Sequence, residues 1–164
     1  MNSSIESVVR SIIEGNEVSL QDEKLIKTKC QLANITDDGE LDQNPFDQYS
    51  ENSIAILPIS GLMVRYSYWR YGCDFIASLI RLANKSPKII GILLLVDSSG
   101  GSINSVIHLE EALKERSKKC ITLIEGTCAS ACLWVASYSD EIWAMMNPIC
   151  DIGSIGNVQI CRFY

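Results

Sequence analysis

The run Ile89–Val96, IIGILLLV, has no polar residue and no alternation. A strand with one wet face alternates apolar with polar side chains. One that does not is covered on both faces, as in the interior of a parallel sheet. The residues after it are as restrictive. Asp97-Ser98-Ser99-Gly100-Gly101-Ser102 ends the run, and a helical spacing follows to about Ser117, with Ile103, Val106, Ile107 and Leu113 expected inward. A buried strand passing through paired glycines into a helix is the basic step of an α/β protein.

The same step recurs along residues 53–164. Ile54–Ile59 reads as a short strand ended by Ser60–Gly61. Asp74 is placed to cap a helix whose Ile76, Leu79, Ile80 and Ala83 share one face, stopped by Ser86–Pro87. Ile121–Ile124 is a second buried strand, Ala131–Ala136 an almost wholly apolar helix, and Ile142–Met146 a further strand. The expected fold class is α/β, a mainly parallel sheet flanked by helices.

Residues 1–52 differ in character. Ile5, Val8, Val9, Ile12 and Ile13 fall at helical spacing behind a Ser3/Glu6 capping box, and residues 36–52 read as an acidic, turn-rich linker. So short a helix needs a surface to dock on, which predicts a homo-oligomer. The segment holds eleven acidic residues against four basic ones, leaving nine against ten in the remainder. No basic stripe is left to neutralise phosphates, so nucleic acid is not an expected partner. No apolar run approaches the length of a membrane span, and the N-terminus has neither the basic start nor the apolar core of a secretory signal. A reducing, cytoplasmic setting is therefore expected, with the seven cysteines acting as small hydrophobes. With a single histidine and no CxxC spacing, neither a metal site nor a cofactor is expected.

Two strand-to-helix junctions carry chemistry. At Val96–Ser102 the glycines allow close backbone approach, and the helix start leaves N–H groups that suit a developing oxyanion or a phosphate. At Glu125–Trp134, EGTCASACLW, Ser130 stands between alanines where a strand passes into a helix, which suits either a nucleophile or an ordinary N-cap.

Taken together, the VDSSGG segment, the CASA segment and the DIGSIGNV segment about twenty residues later resemble the signal peptide peptidase (SppA-type) serine peptidases, including phage head-maturation relatives, over about residues 53–158. The resemblance implies a ClpP/crotonase-like fold and hydrolysis of peptide or protein substrates. It implies Ser130 as nucleophile, and main-chain N–H groups of Gly100 or Gly101 and of Ala131 as oxyanion donors, each worth about 3 kcal/mol in the transition state. It also implies that Gly153–Gly156 helps wall the cleft. Ser99 and Cys132 depart from the family pattern, the first loosening a turn, the second tolerable if it points inward.

The larger departure concerns the base. The family deprotonates its serine with a lysine several dozen residues beyond the nucleophile. Between Ala131 and Tyr164 this chain has neither lysine nor histidine, and Arg162 stays protonated. The expectation is a domain truncated at its C-terminus and inactive as these 164 residues. His108 shares a register with Asn104, Glu111 and Glu115, a polar face, and so is expected in solvent. Cys128 and Cys132 are expected buried and inert. The segment Met63–Tyr71, aromatic and basic, is open to contact with substrate or a neighbouring subunit. Two rival readings are a catalytically inactive homologue serving as an assembly or interaction subunit, and a crotonase-like acyl-CoA enzyme using the same N–H donors on a thioester.

Overall fold

The computed structural model describes residues 44–66, 72–145 and 150–156. The expected N-terminal helix, Lys24, Lys27 and Lys29, most of the 36–52 linker, residues 67–71 and Arg162 lie outside them.

Among the described residues eight elements follow in order: β1 (Ser53–Met63), α1 (Cys73–Lys85), β2 (Ile89–Gly101), α2 (Ile103–Glu115), β3 (Lys119–Ala129), α3 (Ala131–Ala136), β4 (Glu141–Ala144) and β5 (Asp151–Gly153). The strands form one five-stranded sheet, β1-β2-β3-β4, with β5 also paired to β3. All pairings are parallel. The two apolar runs lie side by side, from Gly91 opposite Lys119 to Val96 opposite Ile124. The two short strands share one edge of β3: β4 pairs with Ile121–Ile124 and β5, further along, with Thr127–Ala129.

Both faces of β2 are buried, as its sequence requires. On one face Ile92, Leu94 and Val96 pack into a large core with all three helices. On the other, Leu93 joins Ile56, Ile121 and Leu123, with Ile54, Leu95, Trp143 and Met145 around them. Helix α1 turns Cys73, Ile76, Ala77, Ile80 and Ala83 inward, one apolar stripe at helical spacing. Its N-cap is Gly72 rather than Asp74, which sits in the first turn and pairs with Arg65 at 2.9 Å. Ser86 ends the helix before Pro87, as expected.

Helix α2 corrects one expectation. Val106 and Leu113 face the core, but Ile103 and Ile107 are exposed at 44% and 46%. The buried stripe is Ser105, Val106, Leu109, Ala112 and Leu113. Ser105 is admissible there because its hydroxyl donates to main-chain carbonyls of Ser102 and Met63. Ala112 is small enough for the neighbouring elements to approach. The strands are also longer than their apolar runs, because β2 and β3 continue through a register shift between Val96 and Ser98. Among the described residues no helix is long and apolar enough to cross a membrane.

Candidate active site

The chemistry-bearing residues meet at the C-terminal ends of β2 and β3, where parallel α/β sheets place their ligands. Ser130 follows the last residue of β3 and precedes α3. It occupies the N-cap position but is not an ordinary cap. Its φ of 54° and ψ of −124° lie outside the extended region that caps adopt, and its side chain makes no cap hydrogen bond. A non-glycine residue in this region is strained and persists only when its surroundings enforce it. Here the main chain does so. The Ser130 N–H is shared between the carbonyls of Gly153 and Ser154, at 3.2 and 2.7 Å, and its own carbonyl accepts the Trp134 N–H at 3.1 Å, opening α3.

The glycine pair arrives from β2. Gly100 has φ of 93°, and a β-carbon built on it would lie 2.8 Å from Ser130 Cβ, 2.8 Å from the Ala129 carbonyl oxygen and 2.9 Å from the Ala131 nitrogen. Only a bare α-carbon fits there, so the structure brings Gly100, Ser130 and Ala131 into direct contact. Gly101 faces the other neighbour, closed in by the main chain of Met63 on β1. The Gly100 N–H donates to Ser98 Oγ at 3.0 Å.

Two side chains before the glycines hold this crossing. Asp97 accepts the Thr127 N–H at 2.9 Å, joining β2 to β3 beyond their register shift. Its carboxylate leaves no room for a β-carbon at residue 126, which is glycine. Buried Ser98 donates to the Gly61 carbonyl at 2.5 Å. Glu125 stands nearby, and burial, then the charge of Asp97, pushes its carboxyl above the usual carboxylate range. The roles of Asp97 and Ser98 were open in the sequence, since both sit inside the VDSSGG motif, but nothing in the spacing says which neighbour each grips.

The other singled-out residues lie apart or are occupied. His108 is part-exposed on α2, with Nδ1 3.3 Å from Glu111 and Nε2 3.2 Å from the Arg65 guanidinium. A guanidinium only donates, so in this contact Nε2 is the acceptor. Cys128 and Cys132 are fully buried, their sulfurs 3.9 Å apart. The Cys128 sulfur and burial push the Cys132 thiol up, so it stays protonated. Lys88, Lys114 and Lys119 are paired with Glu51, Glu110 and Glu141. Lys118 reaches the carbonyls of Ala83 and Ser86. Lys118 and Lys119 stand at the start of the 11-residue β3, roughly 30 Å of strand from Ser130. Ser99, Ser154, Ile155 and Gly156 are exposed, and β-carbons at Gly153 and Gly156 would touch nothing. Among the described residues no three His, Cys, Asp or Glu side chains gather as a metal site.

No family model matches the chain. It is similar to Protease 4 of Haemophilus influenzae, 32% identical over 110 residues, which is 64% of this chain and 18% of that protein. It is likewise similar to Protease 4 of Salmonella typhi, 38% identical over 88 residues, 52% of this chain and 14% of that protein. The chain is a relative of the SppA-type peptidases. This SppA-type relative spans less than a fifth of the length of the curated proteins it matches. Its parallel α/β sheet is compatible with the ClpP/crotonase-like fold that the sequence motifs imply.

Proposed function

We propose that this chain carries the nucleophile and oxyanion donors of a serine peptidase site, and that its substrates are peptides or proteins. The observation that carries the reading is Ser130 itself: strained, not used as a cap, and pressed against Gly100 at the strand ends. Ser130 Oγ attacks the scissile carbonyl carbon, forming the O–C bond while the carbonyl electron pair moves onto oxygen. The N–H groups of Gly101 and Ala131 receive that oxyanion, since the Gly100 N–H is committed to Ser98. The hydroxyl proton passes to a base that residues 131–164, without lysine or histidine, do not supply. The names of the relatives favour peptide hydrolysis over acyl-CoA chemistry.

A second reading, an inactive homologue acting as an assembly subunit, is favoured by Lys88, Lys114, Lys119 and His108 each being engaged elsewhere. The pH profile of a fluorophosphonate reaction separates the two. With hydroxide as the only proton acceptor, uptake at Ser130 is slow, rises about tenfold per pH unit without a plateau, and vanishes in Ser130→Ala. A plateau near neutral pH reveals a positioned base that these residues do not account for. Uptake no faster at Ser130 than at other serines leaves the assembly reading.

A further inference from the structure

We infer that Ser98 is a positioning residue: its buried hydroxyl clamps β1 at Gly61 to β2 at Gly100 and so sets the main chain that meets Ser130. The inference rests on the nucleophile reading of Ser130 for its functional arm, and on geometry alone for its structural one.

Ser98 is 2% exposed. Its single hydroxyl proton goes to the Gly61 carbonyl at 2.5 Å, and its oxygen accepts the Gly100 N–H at 3.0 Å. Gly61 falls in the register shift between Ser60 and Leu62, and Gly100 is paired with Leu62 immediately beyond it. Gly61 and Gly100 have φ of 71° and 93°. The register shifts between Ser60 and Leu62 on one side, and between Val96 and Ser98 on the other. Beside such a break a local side-chain bond can help the ladder to set the peptide planes. Asp97 and Ser98, adjacent in sequence, grip opposite neighbours: Asp97 holds β3 through Thr127, and Ser98 holds β1 through Gly61.

The effect on chemistry follows from which N–H is tied. By engaging the Gly100 N–H, Ser98 keeps that peptide turned from the serine and fixes the plane of the next one, whose N–H is Gly101's. Without the hydroxyl the Gly100 N–H is released, and only the pairing with Leu62 and Met63 still holds the two peptides. A serine that only satisfies buried main-chain groups would lower stability on substitution by alanine but would leave probe uptake per folded molecule unchanged.

The test uses the full 164-residue chain as wild type, Ser98→Ala, Ser98→Thr and Ser130→Ala. Three quantities are read: the melting temperature, fluorophosphonate uptake at Ser130 at pH 9, and amide hydrogen exchange at Gly100 and Gly101 by NMR. In Ser98→Ala we expect uptake to fall about tenfold or more, toward the roughly hundredfold loss of a whole oxyanion donor. The Gly100 amide should lose protection while exchange in the core of β2 and β3 is kept. Ser98→Thr, which keeps the hydroxyl, should return uptake to within about threefold of wild type. Wild-type uptake in Ser98→Ala overturns the proposal, as does a loss shared by every amide and not restored by threonine. Rapid Gly100 exchange in the unsubstituted chain overturns it whether or not the variants fold. If wild type takes up no probe at Ser130, the nucleophile reading fails, and the clamp is decided by the exchange of Gly100 and Gly101 alone.

Discussion

At Gly100 an alanine methyl would have to enter space already held by the Ala129 carbonyl, Ser130 Cβ and the Ala131 nitrogen, on a backbone with φ of 93°. Two of these three obstacles are main-chain atoms that cannot swing aside. Gly100→Ala should therefore cost on the order of 2–4 kcal/mol in urea unfolding, combining positive-φ strain with overpacking. Gly153→Ala and Gly156→Ala meet open space and should shift stability by less than about 1 kcal/mol. Equal effects at all three positions would refute the packing account. Ser130 carries the complementary prediction. Glycine tolerates φ of 54°, so Ser130→Gly should raise stability by about 1 kcal/mol while abolishing probe uptake. At this scale the sequence was legible where a motif names the residue, Ser130 and Gly100 above all. It was silent on Ser98 and Asp97, because the neighbour each one grips is set by register shifts that no periodicity reveals.

Helix α3 is six residues long, too short to persist by its own hydrogen bonds. Besides its buried Val135 and Ala136, it is tied to α2 through Glu110, which accepts from Trp134 Nε1 at 3.2 Å and Tyr138 Oη at 2.8 Å. The Lys114 ammonium, then the Tyr138 hydroxyl, hold the Glu110 carboxyl below the usual carboxylate range. A carboxyl depressed in the folded state contributes stability above its unfolded pKa of about 4.3, and the contribution is lost as pH falls through the folded value. Glu110→Gln should thus be less stable than wild type at pH 7, and the urea midpoints of the two should converge on acidification below about pH 4. Parallel curves would show that the ion contributes nothing. The sequence delimits α3 correctly, since Ala131–Ala136 is a continuous apolar run. It misorients α2, because Ile103 and Ile107 fit a helical stripe as well as Leu109 and Ala112 do, and only the packed neighbours choose between the two.

On the scale of the molecule, the sheet order and the direction of its strands follow from alternating buried strands and helices. The three-residue β5 does not, since so short a strand has no readable period. Leu94 lies at the centre of the larger core and is fully buried. Leu94→Ala should cost about 2–5 kcal/mol and lower the stability of the whole sheet together, measured as a common shift of the urea midpoint by fluorescence and circular dichroism.

The Ser130 turn is held by carbonyls of Gly153 and Ser154, by the approach of Gly100, and through Ser98 by Gly61. Apart from the Trp134 bond that opens α3, these supports are drawn from nearly a hundred residues of chain, none of them local to the serine. Contacts of such sequence separation form late and together during folding. A half-made chain, or one emerging from a ribosome, presents Ser130 as a relaxed and unexceptional hydroxyl. On the nucleophile reading proposed above, any special character of that hydroxyl is then a property that only the finished sheet confers.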